Sequence, residues 1–214
     1  MQRKRAAAHR EETTGKGVEA LLISVARDYF AERGYADASL NMIVDAAGLT
    51  KGAVYHYFSN KQDLFRAVYS AEQRRLVRTV VAAFRAEPDA WEAFHAGIRA
   101  FVHELLDASV RRILLMDAPV ALSWQEMRES LRPTGVDLVR EGLVVVQDAG
   151  LISGHRVDLL ANLVYGAVCE AAHVVGNAPE PDAMIDPVLD ELRLTLDRLV
   201  DRTPVPLQPA LLSS

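Results

Sequence analysis

The chain has 214 residues, half of them hydrophobic and a quarter charged, with a formal net charge of −5. That is enough apolar material for one large domain or two small ones. One cysteine, Cys169, excludes an intrachain disulfide and a cysteine-rich zinc site, and suits a reducing cytoplasm.

Residues 1–16 are polar and basic, with Arg3, Lys4, Arg5, His9 and Arg10, and carry no apolar core of a signal peptide. Their composition predicts a disordered basic arm, either a solvated tail or a contact to DNA phosphates or a minor groove. The charge is uneven along the chain. Residues 1–65 hold nine Lys/Arg against eight Asp/Glu, and the remainder fifteen against twenty-one. A slightly basic head on an acidic body suits a DNA-binding end joined to one that does not bind DNA.

Val18, Leu21, Leu22, Val25 and Tyr29 form the stripe of an amphipathic helix, which Gly34 ends. Ser39 is placed to cap a short helix, Leu40 to Ala47, closed by Gly48. Thr50 caps the next, running to about Phe58, and a long helix starts near Lys61 and ends at Glu87-Pro88-Asp89. Every later segment reads as helical: 90–107, a short 110–117 stopped by Pro119, 120–149 with a break at Pro133-Thr134-Gly135, then 156–176 and 184–201. The strand-like Val144-Val145-Val146 has helical flanks and is read as buried helix. Residues 203–214, with three prolines, are expected to be a flexible tail. No apolar run reaches the roughly 18 residues expected of a membrane span, so no membrane partner is expected.

Two short helices either side of Gly48-Leu49-Thr50 make a helix-turn-helix, which lays its second helix in the major groove. In Lys51-Gly52-Ala53-Val54-Tyr55-His56-Tyr57, Val54 and then Phe58 should pack inward with Ile43, Val44 and Leu49. Lys51, Gly52, Tyr55 and His56 are left outward, a face suited to phosphates and base edges.

The string Phe30-Ala31-Glu32-Arg33-Gly34-Tyr35, Ser39, Ile43 through Phe58, Asn60-Lys61, Leu64 and Phe65 resembles the DNA-binding domain of the TetR family. The resemblance covers residues 17–66 and is weak beyond them. It implies an all-α fold: a three-helix DNA-binding domain at 17–62, then about six helices at 63–202 for ligand and dimer. It implies that Ser39, Thr50, Lys51, Gly52, Tyr55, His56, Tyr57 and Lys61 meet DNA. Ser39, Tyr55, Tyr57 and Lys61 would hold phosphates and His56 would read a base. Asn41 faces the same way without a fixed role.

In the body, Trp91, Phe94, Phe101, Met116, Trp124, Met127 and Tyr165 either line a cavity between helices or fill a core. His95, Asp117 and His173 are candidate polar groups for such a pocket, with Cys169 beside them. Cys169 and His173, four apart on a helix, also have the spacing of a two-ligand metal site, but no third ligand stands near, so no metal or cofactor is expected. Apolar stripes through Leu163 and Leu192, on helices rich in small residues, suit a homodimer through residues 156–200. The expected function is a one-component regulator, a repressor bound as a dimer to a palindromic double-stranded operator and released by a small, largely apolar effector. The alternatives are an activator or a regulator controlled by a protein partner. No nucleophile elbow, phosphate-binding glycine loop or metal motif supports an enzyme.

Overall fold

The computed structural model of the chain describes residues 2–123, 125–127, 129 and 135–200, with side chains from residue 17 onward. Helix α1, Gln2–Asp37, begins well before the periodic stripe. Where composition suggested an irregular arm, the backbone is helical. Ala6-Ala7-Ala8 and Glu11-Glu12 are good helix formers, and no proline interrupts them. The helix is broken where the sequence places the break. Gly34 takes φ 81° and ψ 164°, left of what a side chain tolerates, and the chain turns there.

Helices α2 (Leu40–Ala46) and α3 (Lys51–Tyr57) follow, then the long α4 (Lys61–Ala86). Each starts on a side-chain cap. Ser39 Oγ accepts from the Met42 N–H at 3.2 Å, Thr50 Oγ1 from Ala53 at 3.3 Å, and Asn60 Oδ1 from Asp63 at 2.8 Å. Gly48, at φ 65°, makes the turn between α2 and α3.

Beyond α4 come α5 (Ala90–Glu104) and α6 (Ala108–Arg111), then a widened π turn, Arg112–Asp117, and α7 (Ala118–Ala121). Pro119 does not stop this helix as the sequence suggested. It falls inside α7, and the widened turn precedes it. Proline has no N–H to return to the carbonyl four residues back, and the π turn relieves that clash without ending the helix. Helices α8 (Val136–Asp148), α9 (Val157–Gly176) and α10 (Pro181–Leu196) complete the described chain. Val144–Val146 is helical, and Gly150 and Gly154, both at positive φ, bracket the turn into α9. No strand occurs among the described residues.

Two clusters of buried side chains organise these helices. One joins α1–α3 and the first half of α4 to the α6–α7 segment, around Leu22, Phe30, Ile43, Val54, Leu64, Phe65, Tyr69, Ile113 and Ala118. The other joins α5, α8, α9 and α10 around Phe94, Val102, Leu143, Val146, Ala161 and Leu189. Phe101 packs against both. A charged brace ties α1, α4 and α5 together. The buried carboxylate of Glu72 accepts from Arg27 at 2.6 Å and meets Arg75 at 3.3 Å, and Arg75 reaches Glu104 at 3.2 Å. A carboxylate this buried is tolerable only because both oxygens are paired. Helix α9 is long and apolar enough, by length and composition, to cross a membrane. Asp158 and Glu170 lie within it, and its inner face packs in the second cluster through Ala161, Val164, Val168 and Ala171 and in the first through Ala172.

Candidate nucleic-acid interface and ligand cavity

Helix α3 is held by its inner face. Val54 is fully buried and Phe58 nearly so, against the buried Ile43 and Val44 of α2. The turn spacing then forces Lys51, Gly52, Tyr55 and His56 outward, and all four are exposed. An added Cβ at Gly52 would meet nothing within 4 Å, so this part of the surface is open for close approach. Tyr57 is half-buried, with its ring edge-on to His56 at 5.1 Å. Thr50 is exposed at the helix start, Ser39 half-buried and Asn41 exposed on α2. Ser39 and Thr50 act as caps here, so only their remaining hydroxyl capacity is left for another partner.

Lys61 is placed differently from the expectation of a free phosphate clamp. Its ammonium turns back over the Tyr35 ring, 4.3 Å from the centroid, and donates to the carbonyls of Tyr35 at 2.7 Å, Ala36 at 3.3 Å and Ala38 at 3.0 Å. Three donors meet three acceptors, so Lys61 fastens the turn between α1 and α2. The head presents Lys51, Tyr55 and His56 at the surface, while Lys61 holds the turn between α1 and α2.

The head is tied to the body by groups on the α6–α7 segment. Arg112 donates to the carbonyls of Ala31 at 3.1 Å and Glu32 at 2.8 Å, at the end of the first α1 segment. Asp117 accepts from the Tyr35 N–H at 2.9 Å, directly after Gly34. Burial pushes the Asp117 carboxyl above its usual range, and the Tyr35 hydrogen bond and Arg112 oppose that. Gln62 donates to the Ala121 carbonyl at 2.8 Å, and Arg66 pairs with Glu126. Asp117 therefore belongs to the joint between head and body, and not to a ligand pocket as its position among aromatics suggested.

A cavity of about 290 Å³ lies between α4, α5, α8 and α9. Phe84, Phe94, Phe101 and Tyr165 give it aromatic walls, with Val80, Ile98, Leu138, Val139 and Val168 between them. Gly142 and Gly97 keep it open: a Cβ at Gly142 would stand 2.9 Å from the Phe94 ring. Arg85 and Glu141, both exposed, are its charged lining residues. The size is at the lower end of small-molecule pockets, and the apolar lining suits one.

Of the pocket residues the sequence suggested, three line this cavity: Phe94, Phe101 and Tyr165. Cys169 stands behind Tyr165, hydrogen-bonded to it, with its thiol pushed up by burial. Trp91 stacks on Phe94 at 5.8 Å but spends its indole N–H on Asp197 at 2.7 Å, in the core beside the cavity. His95 is buried beside Trp91 and 3.4 Å from Asp197, lining a separate polar cleft between α5 and α10; burial holds its pKa below the ordinary value. Met116 is exposed, Met127 packs toward the head core, and His173 is exposed on α9. Trp124 and residues 203–214 lie outside the described residues. Among the described residues no three metal-binding side chains come together. The sequence reading missed Gly97 and Gly142. They carry no aromatic signal, and only their position opposite Phe84 and Phe94 gives them a role.

The surface of α9 carries an apolar stripe that no described residue covers. Leu159 and Leu163 are exposed, Leu163 at 72%, as are Gly166, Ala167 and Val174. Leu192 is different from the expectation. It is buried with Leu189 and Leu196 against the chain's own core, and Leu194 is the exposed leucine of α10.

Residues 22–68 match a family described as bacterial regulatory proteins, tetR family, and residues 91–199 match a tetracyclin repressor-like C-terminal domain. The TetC protein of transposon Tn10 from Escherichia coli is 26% identical over 145 residues, 68% of this chain and 73% of that protein. The HTH-type transcriptional activator FasR from Mycolicibacterium smegmatis is 35% identical over 80 residues, 37% of this chain and 36% of its own length. The crystal structure of a TetR-family transcriptional regulator from Pectobacterium atrosepticum superposes with a TM-score of 0.76 at 28% identity, covering 90% of this chain and 98% of that one.

Proposed function

The chain belongs to the TetR family of DNA-binding transcriptional regulators, and on that premise we propose that it is a dimeric repressor released from a palindromic operator by a small apolar effector. The observation that carries the proposal is the outward surface of α3, where Lys51, Gly52, Tyr55 and His56 stand exposed on a helix locked from inside by Val54. Lys51 and the tyrosine hydroxyls fit phosphates, and His56 fits a base edge. The exposed stripe Leu159, Leu163, Ala167 and Val174 fits a second copy, whose α3 would then enter the next half-site. The effector enters the cavity between α4, α5, α8 and α9. Its differential affinity for two arrangements of the body shifts the head through α4 and through the Arg112 and Asp117 contacts. Such a regulator works in the cytoplasm, beside the DNA.

Selection of bound sequences from a random duplex library tests the proposal. The expected result is a two-fold symmetric consensus whose half-sites lie about one helical turn, or a multiple of it, apart. His56→Ala should relax preference at one base pair per half-site, a loss of ~1–3 kcal/mol there. An asymmetric consensus would refute the symmetric dimer, and an unchanged preference in His56→Ala would remove its base-reading role. An activator would give the same consensus but raise transcription from it.

A further inference from the structure

The lining of the cavity between α4, α5, α8 and α9 is aromatic out of proportion to the chain. Four of its sixteen residues, Phe84, Phe94, Phe101 and Tyr165, carry rings, against 7% aromatic residues overall, so the rings are gathered at this void. They come from three helices, α4, α5 and α9. Phe101 stands edge-on to Tyr165, with 6.4 Å between centroids and 71° between planes. Phe94 is backed by Trp91, stacked on it at 5.8 Å and 22°. The Phe84 ring has no aromatic partner among the described residues. The Phe84 and Phe94 rings converge on Gly142, where a Cβ would stand 3.6 Å from Phe84 Cε2 and 2.9 Å from Phe94 Cδ2. A glycine here leaves both ring edges bare. The charged lining residues, Arg85 and Glu141, are exposed, and neither is paired with a described residue. The enclosed part of the cavity is therefore aromatic and aliphatic, and its charges stand at the opening.

We propose that the cavity selects a flat aromatic effector, one substituted ring that packs on Phe84 and among the other three wall rings, with its polar end left toward Arg85 and Glu141. The inference rests on the cavity being the effector site and adds the chemical class of its occupant. An aromatic ring has a negative face and a positive edge, so ring against ring gains more than the area it buries, in offset or edge-to-face contact. A saturated ring of the same carbon count buries at least as much apolar surface, but it has no such face and is thicker across its mean plane. Burial alone therefore favours the saturated ring, and complementarity to the walls favours the flat one.

Calorimetric titration of the full-length protein with 3-phenylpropan-1-ol and 3-cyclohexylpropan-1-ol tests this. The two probes share a carbon count and a hydroxyl and differ only in the ring. The expected result is that the phenyl compound binds about fivefold tighter, against the order that burial alone gives. Phe84→Leu keeps an apolar wall without its ring and should bring the two probes to parity or reverse them. Phe101→Leu should act in the same direction, and circular dichroism checks that each variant keeps the helix content of the parent. Equal affinities in the parent, or tighter binding of the cyclohexyl compound, overturn the aromatic class while leaving the effector site standing. A phenyl preference unchanged in both folded variants does the same. Binding of neither probe to the parent overturns the effector site and this inference with it.

Discussion

The head and the body of this molecule are both helical and both well packed, yet they present their candidate sites in opposite ways. In the head, the candidate site lies on the outside of a packed helix: the side chains that α3 leaves exposed are the ones proposed to meet DNA. In the body, the candidate site is a void, a cavity kept by Gly97 and Gly142 between aromatic walls. A surface follows from which residues are polar and where a helix turns. A void follows from how four helices fail to fill the space between them.

The comparison is broken most forcefully at Leu163 and Leu192, both apolar positions of the final helices and both candidates for the dimer interface. Leu192→Asp buries an unpaired charge and should cost ~4 kcal/mol or more, unfolding the body. Leu163→Asp changes a 72% exposed side chain and should leave melting nearly unchanged while sedimentation shows monomers. A dimer that survives Leu163→Asp would move the interface off α9.

Next in size, Gly142→Ala places a methyl group against Phe94 and into the cavity. It should cost ~1–3 kcal/mol of stability and weaken apolar ligands, with operator affinity kept. If ligand affinity is unchanged, the cavity is not the binding site.

Within the head, Lys61 and Tyr55 separate bracing from contact. Lys61→Met removes three hydrogen bonds to the α1–α2 turn and should lower both thermal stability, by ~1–2 kcal/mol, and operator affinity. Tyr55→Phe removes an exposed hydroxyl and should lower operator affinity alone. Equal melting of Lys61→Met and the parent would return Lys61 to the role of a plain phosphate contact.

The smallest effect is the pH dependence of the joint between the two regions. The N–H and hydroxyl of Ser123, with Arg66, hold the Glu126 carboxyl down at about 2, against an ordinary value of 4.5. A carboxylate with a depressed folded value contributes stability above pH 4.5, and that contribution is lost as pH falls toward 2. Asp117 is shifted the other way, so its neutral form is favoured in the fold and its effect is greatest at low pH. On acidification Asp117 should therefore take up its proton before Glu126 does, so the Asp117–Tyr35 hydrogen bond should weaken while the Arg66–Glu126 link holds until the pH approaches about 2, which amide exchange at Tyr35 and at Ser123 would resolve.

The sequence by itself determined the head. Ser39, Gly48 and Thr50 set two helix starts and one turn through contacts three or four residues away, and Val54 and Phe58 choose which face of α3 is left outside. Such short-range rules can be read without knowing the rest of the chain. The all-α class and the helical state of Val144–Val146 were legible for the same reason. Tertiary structure alone decided where Lys61, Asp117 and Leu192 find their partners. Lys61 bonds carbonyls 23 to 26 residues away and Asp117 an amide 82 residues away. Leu192 differs from Leu163 only in which face of its helix meets the core. Identical residue types on amphipathic stripes become core, cavity wall or interface according to the packing of distant helices, and that packing is a property of the whole chain.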